Sequence, residues 1–151
     1  MPDILHRVGI DASPEKVYGI LTSLEGNRGW LDQEATGDAQ KGGMVTFFKG
    51  GLDAKVTEAK PNELVVWDCV KGPAEWVGTK INFKLERKQD QTFVLFSHVD
   101  WKEPVEFMYH CSMKWAVFLL SLKALAETGK GRPTPDDVWV YVGEGKNYQK
   151  R

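Results

Sequence analysis

Residues 77–100 read VGTKINFKLERKQDQTFVLFSHVD, and their alternation decides the fold class. Over 77–86, Val77, Thr79, Ile81, Phe83 and Leu85 alternate with Gly78, Lys80, Asn82, Lys84 and Glu86. That is the period of a strand with one buried and one wet face. Taking 88–91 as the loop places Arg87 opposite Thr92. The register then sets Leu85 against Val94, Phe83 against Phe96, Ile81 against His98 and Thr79 against Asp100. Val94, Phe96, His98 and Asp100 share the inner face, while Phe93, Leu95, Ser97 and Val99 point outward. An outward apolar pair, Phe93 and Leu95, beside Lys84 and Glu86 marks a candidate contact surface for a homodimer.

Outward from this hairpin, the β signal runs over residues 33–101, with Gly42-Gly43, Gly50-Gly51, Pro61-Asn62 and Gly72-Pro73 as turns. Before it, a strand over 4–11 leads to Ser13-Pro14-Glu15, a helix-start signature, and a helix over 14–24. Glu25-Gly26-Asn27 is expected to break that helix, with a second short turn over 27–31 carrying Trp30. After the hairpin, Met108, Cys111, Trp115, Phe118, Leu119, Leu122 and Leu125 form the apolar stripe of one long helix over 103–128, and Gly129 stops it. The tail holds Val138-Trp139-Val140-Tyr141-Val142, too apolar for a free linker, and is expected to pack back on the domain. The reading is one α+β domain over 1–132 with a tail over 133–151: a curved antiparallel sheet wrapped around a long C-terminal helix, with two short helices after the first strand.

Composition narrows the function classes. Twenty Lys and Arg against twenty-one Asp and Glu leave a net charge of −1, so no global basic field exists to hold nucleic acid. No stretch approaches the ~20 apolar residues of a membrane span. Two cysteines make no disulfide framework, and MPDILHRVGID lacks the apolar run of a signal peptide, so a cytoplasmic location is expected.

Four segments carry a resemblance: Ala12–Tyr18 after the opening strand, Pro61–Trp67, Thr92–His98, and Phe118–Lys123 running into Glu127–Gly131. With them the chain resembles the START-like, helix-grip superfamily of Bet v 1 allergens and polyketide cyclases. Within it, the chain is most similar to the branch built on the C-terminal domain of the Hsp90 ATPase activator. The resemblance covers about residues 1–132 and implies the helix-grip fold. It also implies one of several functions, since members include binders of apolar small molecules, cyclases and chaperone cofactors.

The residues supply candidates for each. Aromatics from every element around a helix–sheet cavity, Trp30, Trp67, Trp76, Phe83, Phe96, Trp101, Phe107 and Trp115, could line an apolar site, together with Ile81, Val94, His98, Met108 and Cys111. The same residues would also fill an ordinary core. Trp67 and Asp68 alternate, so only one faces inward, and Trp67 is taken as that one. His98 beside Asp100 makes a candidate acid/base pair; the alternative is a histidine ending a strand and hydrogen-bonding its surroundings. His110 lies one position off the helix stripe, at a cavity mouth or a half-exposed edge. Cys69 and Cys111 read as two small buried hydrophobes. No metal-ligand spacing, P-loop or nucleophile elbow occurs, and no cofactor is implied; Gly129-Lys130-Gly131 and Gly143-Glu144-Gly145-Lys146 read as a helix stop and a tail turn. The basic end, 146–151, reads as solvated. Three functions follow, in this order: a binding module for an apolar or amphipathic small molecule, a cyclase- or dehydratase-like enzyme using His98 and Asp100, and a chaperone-cofactor-like interaction module.

Overall fold

Among the described residues, a seven-stranded antiparallel sheet pairs most of the backbone and grips one long helix. The structure, a computed structural model, describes residues 2–144. The strands are β1 (Ile4–Ile10), β2 (Thr36–Gly37), β3 (Met44–Phe47), β4 (Leu52–Lys60), β5 (Leu64–Lys71), β6 (Lys80–Lys88) and β7 (Gln91–Val99). Their order across the sheet is β1-β7-β6-β5-β4-β3-β2. The helices are α1 (Pro14–Leu21), α2 (Leu24–Trp30) and α3 (Glu106–Thr128). The fold is the expected α+β helix grip. Two register shifts between β4 and β5, one with Val70 extra on β5 and one with Thr57 extra on β4, are irregularities of the kind that let such a sheet curl.

The β6–β7 register is the one read from the sequence. Phe83 faces Phe96, Leu85 faces Val94 and Ile81 faces His98. Lys88 and Gln91 still pair, so the loop is only Gln89-Asp90, both at positive φ (56° and 59°), the twist a two-residue hairpin needs. The pairing stops at Val99, however, and Thr79 does not face Asp100. Asp100 takes a left-handed φ of 72° and turns to solvent, where its amide donates to Asp3 Oδ1 at 3.3 Å. It therefore leaves the inner face that alternation assigned to it. At the other end, β6 starts at Lys80 and not at 77. Residues 73–79 coil into a turn closed by Trp76 N to Pro73 O (2.8 Å) and Thr79 N to Trp76 O (2.9 Å), and Val77 is exposed.

The helices also differ at their ends. Ser13 caps α1 as read, accepting from Lys16 N at 3.1 Å. But Glu25-Gly26-Asn27 does not break a helix; it lies inside α2, and the break falls at Thr22-Ser23. Ser23 is a second N-cap, accepting from Gly26 N at 3.0 Å. Gly26 is required by closeness, since a Cβ there would lie 2.1 Å from Ile20 O. Asn27 is fully buried and ties the corner, donating to Leu21 O and Ser23 O and accepting from Trp30 Nε1 at 3.0 Å. The long helix begins at Glu106 and not 103, because Pro104 forces the residue before it away from helical geometry. Gly129, at φ 86°, ends it as expected.

The core between sheet and α3 is an aromatic relay. Trp30 meets Phe83 edge-on at 5.9 Å, Phe83 meets Trp67 at 4.9 Å and Phe96 at 5.5 Å, and Phe96 meets Trp115 at 4.7 Å. Trp67 faces inward and Asp68 outward, where it pairs with Lys80 at 2.7 Å. Of the helix stripe, Leu125 alone is only half-buried, and Ser121 and Ala126 join it inside.

Truncating the central ring, Phe83→Ala, is expected to cost about 3–5 kcal/mol, since its neighbours come from three elements and cannot collapse together. Urea unfolding followed by far-UV circular dichroism measures this. A loss below about 1 kcal/mol would mean that the relay is not packed as described.

Candidate functional site

His98 stands where β7 meets α3, fully buried. Trp115 Nε1–H donates to its Nδ1 at 3.1 Å. An indole N–H can only donate, so Nδ1 is bare and the ring proton sits on Nε2. That N–H donates to Thr79 Oγ1 at 2.7 Å, and the Thr79 hydroxyl passes its own proton to the Trp76 carbonyl at 2.6 Å. The ring also lies edge-on to Trp76 at 4.7 Å and to Trp101 at 5.0 Å. Burial pushes its pKa down to about 3, so the imidazole is neutral at any ordinary pH. Both nitrogens are engaged and Asp100 points away. The geometry is thus that of the hydrogen-bonded strand-end histidine, and it does not join His98 to Asp100.

The other inner-face candidates are equally enclosed. Trp30, Trp67, Ile81, Phe83, Val94 and Phe96 are buried in the core and take no part in the pocket along α3. Met108 is buried beside them, also away from the pocket. The open space lies one layer out, at the mouth of the grip. A pocket of about 550 Å³ runs along α3, and of the cavity residues expected from the sequence Trp76, Phe107, Cys111 and Trp115 reach it. Phe48, Phe118 and Trp139 add further rings. Trp76 and Trp115 stack at 5.8 Å with planes 16° apart and form a flat back wall, behind which His98 sits. His110 is at this mouth, stacked on Phe107 at 6.0 Å and edge-on to Tyr141 at 5.5 Å.

Two features of the pocket escape the sequence reading. One is Asp32, a buried carboxylate on its wall. Its Oδ2 accepts from Phe48 N at 2.6 Å and its Oδ1 from Glu34 N at 3.1 Å. Phe48, Lys49 and Gly50 all have positive φ, and Asp32 holds this strained turn so that the Phe48 ring faces Phe118 at 6.1 Å. The other is the C-terminal segment. Residues 130–144 form no helix or long strand; they strap the pocket on one side. Thr134 bridges to Asp32, with Thr134 N to Leu31 O and Gln33 N to Thr134 O both 3.0 Å. Lys114 then fastens the strap: its ammonium reaches Asp137 Oδ2, Glu144 Oε1 at 2.9 Å and Val138 O at 3.1 Å. Val138-Trp139-Val140-Tyr141-Val142 follows this path with Trp139 on the pocket, while Val138, Tyr141 and Val142 remain exposed. Gly145-Lys146 of the tail turn and the basic residues 146–151 lie outside the described residues.

Cys69 and Cys111 are both buried free thiols. Burial pushes their pKa up to about 11 and about 12, so neither supplies a thiolate. Cys111 Sγ instead accepts from Trp76 Nε1 at 3.4 Å. Among the described residues no group of three or more His, Cys, Asp or Glu could hold a metal ion, and no helix is long and apolar enough to cross a membrane.

The buried imidazole makes acid stability testable. Its folded pKa lies below the unfolded value near 6.5, so the unfolded chain takes up a proton first. Stability from this group is complete above about pH 6.5 and falls as pH drops toward 3, by up to ~1.4 kcal/mol per pH unit. His98→Gln should lower stability at pH 7 by about 1–3 kcal/mol through lost hydrogen bonds, and should flatten that slope by one proton between pH 4 and 6. An unchanged slope in urea titrations would show that His98 is not buried neutral.

The sequence profile described as Activator of Hsp90 ATPase homolog 1-like protein matches residues 11–127. A protein from Colwellia psychrerythraea, whose solution structure is described as the Aha1 dimer, is 47% identical. It superposes with a TM-score of 0.79 over 87% of this chain and 100% of that one. SSP2350 from Staphylococcus saprophyticus is 19% identical, with a TM-score of 0.73 over 87% of this chain and 97% of that one. CalU16 from Micromonospora echinospora is 18% identical, with a TM-score of 0.68 over 82% and 73%. These two share the fold. No curated protein matches the chain. With most of its length matched by the family profile and 47% identity to a solved relative over 87% of its residues, the chain belongs to the Activator of Hsp90 ATPase homolog 1-like family.

Proposed function

We propose that the protein is a binding module for an apolar or amphipathic small molecule, seated in the pocket between α3 and the strap. The observation that carries this reading is the pocket itself: about 550 Å³ walled by Phe48, Trp76, Phe107, Trp115, Phe118 and Trp139, with a few charged groups set among these rings. Rings around a few placed polar groups are what an apolar ligand with one polar end requires. The site differs from the helix–sheet interior in which the sequence places it, because there the rings fill one another's space.

The neutral dye N-phenyl-1-naphthylamine tests the location. Its fluorescence should rise on saturable binding, and Phe107→Ser should weaken that binding about tenfold or more, the worth of one buried phenyl contact. Native mass spectrometry of the protein as purified would show a retained ligand directly. Dye binding that Phe107→Ser leaves unchanged would put the site elsewhere.

A second reading, as a self-associating interaction module, is favoured by a separate observation: the 47% identical relative is described as a dimer. On the outer sheet face, Leu5, Val66 and Leu95 stand around a shallow groove, with Leu5 70% exposed, and Phe93 lies under the Arg7 guanidinium at 4.8 Å. A second copy docked there would cover Leu5 and Leu95. Leu95→Lys should then convert a dimer into a monomer in sedimentation analysis, with unfolding temperature little changed. A wild-type monomer at about 100 μM would refute this reading.

A further inference from the structure

We propose that the pocket selects for positive charge: its ligand is an apolar or aromatic molecule bearing an ammonium group. This rests on the ligand-binding reading above and gives that ligand its chemistry.

The charges around the pocket do not balance. Asp32, Glu34, Asp137 and Glu144 line it against Lys49 and Lys114. Lys49 is answered by Glu34 at 3.7 Å. Lys114 is a single ammonium shared by two carboxylates, Asp137 and Glu144. Asp32 is buried, and among the described residues its carboxylate oxygens accept from the backbone N–H groups of Glu34 and Phe48. Among the described residues, the lining carboxylates outnumber the lining ammonium groups by two, and His110 Nε2 stands 4.0 Å from Glu144 Oε1.

The rings work in the same direction. The faces of Trp, Tyr and Phe attract a cation, most strongly where water is excluded. Lys114 already shows how this lining holds an ammonium group: its Nζ lies 5.2 Å above the Phe118 ring, with Glu144 Oε1 at 2.9 Å and Val138 O at 3.1 Å. A ligand ammonium would meet the same three kinds of partner, with the remaining carboxylate charge to neutralise. A ligand carboxylate would meet those acids as like charges in a half-enclosed site, where screening is weak. The bare aromatic wall accounts for the body of the ligand, and the charge excess accounts for its head.

Three probes that share one ring system and differ in charge separate these effects: 2-naphthylmethylammonium, 2-naphthylmethanol and 2-naphthoate, each titrated calorimetrically into the full chain at low salt. The ammonium should bind at least about tenfold tighter than the carboxylate, with the alcohol between them. Raising salt to about 0.5 M should narrow that ratio. The double variant Asp137→Asn/Glu144→Gln should bring the ratio to about threefold or less, or reverse it, since Lys114 then stands unopposed. Should that variant not fold, the salt series on the unaltered protein decides alone. Equal or reversed ammonium and carboxylate affinities, with the alcohol still bound, would overturn the charge selectivity and leave the pocket reading standing. Binding of none of the three would overturn the pocket reading itself, and this inference with it.

Discussion

The neutral imidazole of His98 is the joint on which this grip turns. A polar ring in the middle of an aromatic core is tolerable only if each nitrogen has a partner of the right kind. Trp115 on α3 supplies a donor and Thr79, at the end of the β5–β6 turn, supplies an acceptor. The helix, the last strand and the turn are thereby fixed against one another at a single point. The Thr79 hydroxyl extends the chain to the Trp76 carbonyl, which sets the Trp76 side chain beside Trp115. A structural hydrogen-bond network thus builds one wall of the pocket, although His98 itself never meets solvent.

Much of this was legible in the sequence, and the parts that were not share a cause. Strict alternation from Lys80 to Val99 gives the inner and outer faces and the β6–β7 pairing, because a one-residue slip would expose Phe83 and Phe96 together. Ser13 and Gly129 announce two helix ends through their capping chemistry. Alternation, however, carries no signal for where a strand stops. Thr79 and Asp100 continue the pattern on paper, yet the chain has already turned at both positions. Gly26 reads as a helix breaker by propensity, while its actual role is to let α2 pass Ile20 at close range, a fact of tertiary distance. Asp32 gives no local cue, since its partner Phe48 is sixteen residues away.

The pocket shows the same limit at larger scale. Counting aromatics over the elements of a helix grip finds the rings that surround the interior. It does not say whether those rings leave a void. Here Trp30, Trp67, Phe83 and Phe96 touch edge to face and close the space, and the opening moves to the edge of the relay where Trp115 and Cys111 emerge. The His98–Asp100 pair fails for a comparable reason: same-face neighbours on a strand are well apart even when both are ordered, and one left-handed residue removes the second of them altogether.

The strap divides the protein's labour between two stretches of chain. The family profile covers 11–127, which holds the relay and the His98 joint, whereas Thr134, Asp137, Trp139 and Glu144 all lie beyond it. The strap is fastened through backbone bonds at Leu31 and Gln33 and through the side chains of Gln33, Lys114 and Ser121, none of which is a ring of the relay. One side of the pocket can therefore be rewritten without repacking the core. A scaffold arranged in this way is evolvable in the engineer's sense: the grip and one wall of its pocket are encoded in separate, consecutive paragraphs of the same sequence.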